Sequence, residues 1–168
     1  IMVKEKISDE ILLAIAPCSM FCSTCTGCSY GDISYHAMEL LHLLEGHQEF
    51  LNQNLKAQYR HKLDEYLLFH KKLKKYANPE CSGCRNGRAS SCCIKGCFIP
   101  ECTQKHRVLF CAQCSEFPCD KVNESVYKKS TIKKWLDGNI EIKKYGIDAY
   151  YQRNRNRPHY IDYVKDSD

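Results

Sequence analysis

No stretch of this chain approaches the roughly 20 consecutive apolar residues that a transmembrane helix requires, so no membrane role is expected. Near the start the only apolar run covers residues 11–16, six residues preceded by Lys4-Glu5-Lys6 and Asp9-Glu10. That is too short, and too acidic in its approach, for a secretory signal. No segment alternates apolar and polar residues for long enough to make a strand, which argues against a sheet. Internal repeats and low-complexity linkers are missing too. So are a glycine-rich phosphate loop, an H-E-x-x-H pair and any recognisable carboxylate or nucleophile–base constellation. No catalytic residue is therefore assigned, and the sequence leans away from enzyme chemistry.

What is abundant is cysteine, 13 in 168 residues. One group is Cys18, Cys22, Cys25 and Cys28; the other is Cys81, Cys84, Cys92, Cys93, Cys97, Cys102, Cys111, Cys114 and Cys119. Thiols separated by two residues can turn back on one ion, and four pairs do so: Cys22/Cys25, Cys25/Cys28, Cys81/Cys84 and Cys111/Cys114. In two of them Gly27 or Gly83 precedes the second cysteine, where a tight turn favours glycine. A disulfide framework would expect a secreted chain with an even count. The odd count and the lack of a signal point instead to metal and a reducing cytoplasm.

Length and a 43% hydrophobic content fit one domain over residues 1–168, mainly α. Residues 8–30 hold the first cysteine cluster, opened by a Ser8 N-cap and a short helix or strand running into Cys18. Residues 32–77 read as a helical hairpin. Asp32 or Ser34 caps its first helix, Gly46 ends it, and one long second helix carries Phe50, Leu55, Tyr59, Leu63, Tyr66, His70 and Leu73 up to Asn78-Pro79. Residues 80–120 have almost no apolar period, so an irregular, metal-stapled segment is expected there, ordered by coordination. Residues 121–157 return to helix, with Ser130 or Thr131 as cap, Trp135, Leu136, Ile140 and Ile142 following, and Gly146 as a stop.

The formal net charge of +5 counts the thiols as neutral. A four-thiolate zinc site carries a net charge of about −2, so about three of them would bring the molecule near −1. Local basicity survives that correction. Residues 121–157 hold ten Lys and Arg against four Asp and Glu, ending in Tyr150-Tyr151-Gln152-Arg153-Asn154-Arg155-Asn156-Arg157. Such a tail can grip a protein or single-stranded nucleic acid. More commonly it is the solvated face of a helix whose aromatics pack inward.

Cys18, Cys22, Cys25 and Cys28 can fill one tetrahedral site. Their C-x3-C-x2-C spacing also resembles that of radical S-adenosylmethionine enzymes, but the chain lacks the length and strands of the barrel those need. Cys81, Cys84, Cys111 and Cys114 pair as two hooks in the usual plan of a closed zinc site, leaving Cys92, Cys93, Cys97, Cys102 and Cys119 for another. Adjacent Cys92 and Cys93 point in different directions on extended backbone, so Cys92 alone is carried as a candidate. His106 can stand in for a thiolate, while the histidines of the hairpin lack metal spacing. Two or three zinc ions are the expectation. An iron–sulfur cluster is the alternative, since Cys22-x2-Cys25-x2-Cys28 matches half of a ferredoxin-like run without its closing cysteine–proline.

Three elements occur in a specific order: Ala16-Pro17-Cys18-Ser19-Met20-Phe21-Cys22-Ser23-Thr24-Cys25, then Cys81-Ser82-Gly83-Cys84, then Cys97-x4-Cys102-x8-Cys111-x2-Cys114-Ser115-Glu116-Phe117-Pro118-Cys119. Together they resemble the domain-of-unknown-function 3795 family, described as probably zinc-binding, with a looser likeness around Trp135 and Gly146. The resemblance implies ligand roles for Cys18, Cys22, Cys25, Cys81, Cys84, Cys97, Cys102, Cys111, Cys114 and Cys119. It carries no activity. Ser19 stands where the family has glycine, Cys28, Cys92 and Cys93 are additions, and the hairpin looks like an insertion.

Overall fold

The computed structural model describes residues 7–85 and 94–163. Among the described residues there are seven α-helices: α1 (Asp9–Ala14), α2 (Asp32–Leu43), α3 (His47–Asn54), α4 (Arg60–Ala77), α5 (Ile99–Lys105), α6 (Lys129–Tyr145) and α7 (Ile147–Asn154). Single 3-10 turns lie at Ala57–Tyr59, Cys111–Gln113 and Asp120–Val122. Among the described residues there is no strand, only isolated bridges between Ile15 and Phe21 and between Cys28 and Cys81. The fold is mainly α, as its periodicity predicts, and no described helix is long and apolar enough to cross a membrane.

Ser8 caps α1 by accepting from Ile11 N at 3.4 Å, which settles the first element as a helix. The chain then folds back on itself, with Ala16 N bonded to Met20 O at 2.8 Å and Cys22 N to Ala14 O at 2.7 Å. At the tip Ser19 takes φ 73°, the left-handed region that glycine enters without strain.

The hairpin is an arm of three helices. Ala37 of α2 packs on Leu73 and Ala77 of α4, flanked by Leu41, Leu44 and Tyr76. Gly46, at φ 79°, stops α2 where the sequence places the stop. Two expectations need correction. Neither Asp32 nor Ser34 is the N-cap: Gly31 holds that position, and the buried Ser34 hydroxyl donates to Ala77 O at 3.1 Å, tying the arm's two ends together. The long second helix is broken, because Leu55 and Lys56 are extended and the Asn54 amide caps Phe50 O at 2.8 Å. Much of the arm's apolar surface stays open, including Leu43 at 79% and Leu68 at 72% exposure.

The body has two cores. Ile11, Ile15 and Phe21 meet Phe110, Ile142, Tyr150 and Tyr151 in one. Ile99, Phe117, Val122 and Trp135 form the other, against which Cys18, Cys97, Cys111, Cys114 and Cys119 pack. The 80–120 segment is thus less irregular than its sequence suggests. It contributes α5, and Phe110 is fully buried. Its apolar residues find partners on α6 and α7 rather than on their own helix, so no local period reveals them. The α6 N-cap is Lys128, ahead of both the predicted Ser130 and Thr131.

Candidate metal centre

The first cysteine group is built by successive tight turns. Cys25 N donates to Cys22 O at 3.0 Å and Cys28 N to Cys25 O at 3.3 Å. Cys81 joins from beyond the arm: its N–H reaches Gly27 O at 3.1 Å and its carbonyl accepts from Ser29 N at 2.9 Å. Cys22 lies within electrostatic reach of Cys18, Cys28, Cys25 and Cys81. Burial first, and these thiols second, raise its pKa well above the ordinary thiol value. Burial also raises Cys28, against donors supplied by Tyr30. Cys84 lines a cleft of about 400 Å³ with Cys22, Tyr30 and Arg85. The Arg85 guanidinium is locked there by Leu12 O, Ile15 O and Leu109 O at 3.1, 3.1 and 2.6 Å, 4.4 Å from the centre of the Phe110 ring.

The second group gathers Cys102 from α5, Cys111 and Cys114 from the turn after Phe110, and Cys119. Their side chains line one cavity of about 20 Å³, closed by Phe117 and Trp135 and touched by His106. Cys111 is pushed up to about 12 by burial and by Cys18, Cys102 and Cys119, with the Trp135 indole N–H pulling the other way. That indole is 2% exposed, and its N–H meets no oxygen or nitrogen acceptor. The sulfur of Cys111 is what it faces.

Cys18 stands between the groups, interacting with Cys22 on one side and Cys111 on the other. The seam is fixed by Asn139 of α6, fully buried. Its amide nitrogen reaches Cys18 O at 3.1 Å, Ser19 Oγ at 3.1 Å and Trp135 O at 2.8 Å, and its oxygen accepts from Ala112 N at 2.9 Å. Tyr150 donates to Ser19 O at 2.8 Å. Opposite them Gly138 makes room for these groups: a Cβ there would fall 2.4 Å from Ser19 Oγ and 2.8 Å from the Tyr150 hydroxyl. Asn139 and Arg85 escaped the sequence reading because neither carries a spacing signal. A polar residue on the apolar face of α6 was the one available clue to Asn139.

The two C-x2-C hooks paired from sequence, Cys81/Cys84 and Cys111/Cys114, fall in different groups. Cys81 is claimed by its bridge to Cys28, a pairing across the chain that spacing along it does not encode. Cys97 meets the Tyr127 hydroxyl at 2.7 Å. Cys92 lies outside the described residues. Among the described residues no three Cys, His, Asp or Glu side chains have converged to the spacing of a metal shell. The thiols are grouped rather than closed on a point.

The donors around them nevertheless suit thiolates, which accept hydrogen bonds far better than thiols do. Cys25 Sγ accepts from Gly27 N at 3.4 Å, Tyr30 lies beside Cys28, and the Trp135 indole N–H faces Cys111 without closing a hydrogen bond on it. Fold and site together define a mainly helical protein organised on two neighbouring thiol groups. The chain belongs to the family described as "Protein of unknown function (DUF3795)", whose model matches residues 14–124, well over half of it. No curated protein and no solved structure matches. The family match takes in both thiol groups and the α2–α4 arm, and stops before α6 and α7.

Proposed function

We propose that this chain is a binding module stapled by zinc at two thiolate sites, Cys22/Cys25/Cys28/Cys81 and Cys102/Cys111/Cys114/Cys119. The observation that carries this reading is the second cavity. Four thiols line a space of about 20 Å³, the room of one water-sized body, which suits a single ion and not a four-iron cluster. Zinc takes four sulfurs in a closed tetrahedral shell, and the ion offsets the cost of burying thiolates that the lone thiols refuse. Such sites are at home in a reducing compartment.

Elemental analysis with an absorbance spectrum, on protein purified anaerobically without added metal, tests this. Two zinc per chain and no visible band are expected; iron with acid-labile sulfide would overturn it. One observation favours a second reading for the first group alone. Cys22, Cys25 and Cys28 keep the two-residue spacing of a ferredoxin-like run and Cys81 lies within electrostatic reach as a fourth sulfur, a set that holds an iron–sulfur cluster as readily as an ion. Iron and zinc in one chain would be its signature.

For the bound partner, the basic tail supports protein over single-stranded nucleic acid. Tyr150 and Tyr151 are buried against Phe21, with ring centres 5.6 and 6.3 Å from it, so their faces are not offered to bases. Arg153 is engaged by Glu141 and Arg157 by Asp162.

A further inference from the structure

Beyond α7 the chain folds back across the molecule to the first cysteine loop. The Thr24 hydroxyl donates to Arg157 O at 3.2 Å, and His159 Nδ1 lies 2.8 Å from Phe21 O. Lys134 of α6 holds this strap down through His159 O and Asp162. The rings of His159, Tyr160 and Tyr163 pack on one another. Residues 157–163 lie outside the family match.

The Tyr160 oxygen accepts from Thr26 N at 3.1 Å, and sits 2.7 Å from Thr26 Oγ1 and 3.6 Å from Cys25 Sγ. The phenol has one proton for two neighbours. When the Thr26 hydroxyl gives its own proton to Tyr160, the phenol proton goes to sulfur and every donor is used. An ionised sulfur wins that proton, since hydrogen bonds to a charged acceptor are roughly twice as strong. Gly27 N already donates to the same sulfur.

We propose that Tyr160 is a positioning residue for the Cys25 thiolate, and that the strap of residues 157–163 slows exchange of the ion at the first site. This rests on the reading of Cys25 as a zinc ligand. The hydroxyl draws electron density from the sulfur and so lowers its nucleophilicity, while the strap covers the loop that carries it.

Tyr160→Phe keeps the ring and removes only the hydroxyl. Against wild type, it should bind the same number of zinc ions. It should label at Cys25 with iodoacetamide about two- to tenfold faster, the equivalent of one net hydrogen bond. Labelling at Cys114 should not change. Zinc transfer from the first site to a chelator should quicken by a similar factor, and in the cobalt(II) form the sulfur-to-metal charge-transfer band should move to lower energy. Wild-type labelling, release and spectrum in Tyr160→Phe would refute the role of Tyr160 and leave the zinc reading standing. If wild type takes up no metal, the zinc reading falls. Cys25 labelling of the metal-free chain, compared at the high-pH plateau of the rate where the sulfur is fully ionised, then decides: an unchanged rate refutes the strap, and a faster one upholds it.

Discussion

Around the first thiol group the contacts are polar: Gly27 N, Thr26, Tyr30 and Tyr160 surround Cys25 and Cys28, and Cys81 is sewn in by backbone hydrogen bonds. Around the second they are apolar, with Cys111, Cys114 and Cys119 packed on Phe117 and Trp135. Polar cover lets water and competing ligands in; apolar cover keeps them out and ties the site to the packing of the body. On the zinc reading the first group should therefore exchange its ion faster than the second, with the strap of residues 157–163 as its brake, and the second should carry the fold.

The sharpest way to break this contrast is to remove one sulfur from each side. Cys114→Ser should cost about 4–5 kcal/mol or more, as loss of a structural metal does, lowering the melting temperature by on the order of 10 °C or more. Cys25→Ser should release metal with a smaller drop, and equal losses in calorimetry would erase the distinction. Asn139→Ala comes next. It strips the amide that joins Cys18 O to Ala112 N and leaves buried groups unpaired, for about 1–3 kcal/mol, with metal lost from both groups by elemental analysis.

Gly138→Ala should destabilise by a comparable amount, about 1–3 kcal/mol for overpacking. The added Cβ collides with Ser19 Oγ at 2.4 Å. Ser19→Gly in that background should recover part of the loss in thermal melts, and only part, because the Tyr150 hydroxyl still stands 2.8 Å away. No recovery would show that the contact with Ser19 is not what limits the site.

The smallest effect is one of pH. In the metal-free chain Cys111 holds its proton up to about 12, whereas the unfolded thiol loses it near 9.0. Between those values the folded state binds more protons, so stability present below pH 9 falls as pH rises. With metal bound the sign reverses, since ligation requires thiolate and acid strips the ion. Denaturant titrations from pH 7 to 10, with and without zinc, separate the two cases.

The arm was the most legible part, because Leu63, Tyr66, His70 and Leu73 repeat at helical steps whatever lies around them. The break at Leu55 was not, since the Asn54 cap that makes it competes with a helical pattern running straight through. That the cysteines matter could be read from spacing; how they partition could not. Cys81 is drawn to the first group by a bridge to Cys28, and Cys18 is held between the groups by Asn139, contacts formed between distant parts of the chain. The glycine expected at Ser19 is explained by its φ of 73°, a cost this sequence offsets with the Asn139 hydrogen bond and an empty place at Gly138.

Ser34 and Ala77 meet at the base of the arm, immediately beside the bridge between Cys28 and Cys81. The chain leaves the body and re-enters it through one doorway. An excursion closed at its threshold is a cassette: lengthening it costs only about 0.6 kcal/mol per doubling, and nothing inside the body has to be redrawn. Residues 32–77 can thus be trimmed, extended or exchanged for another segment while the thiol groups stay as they are.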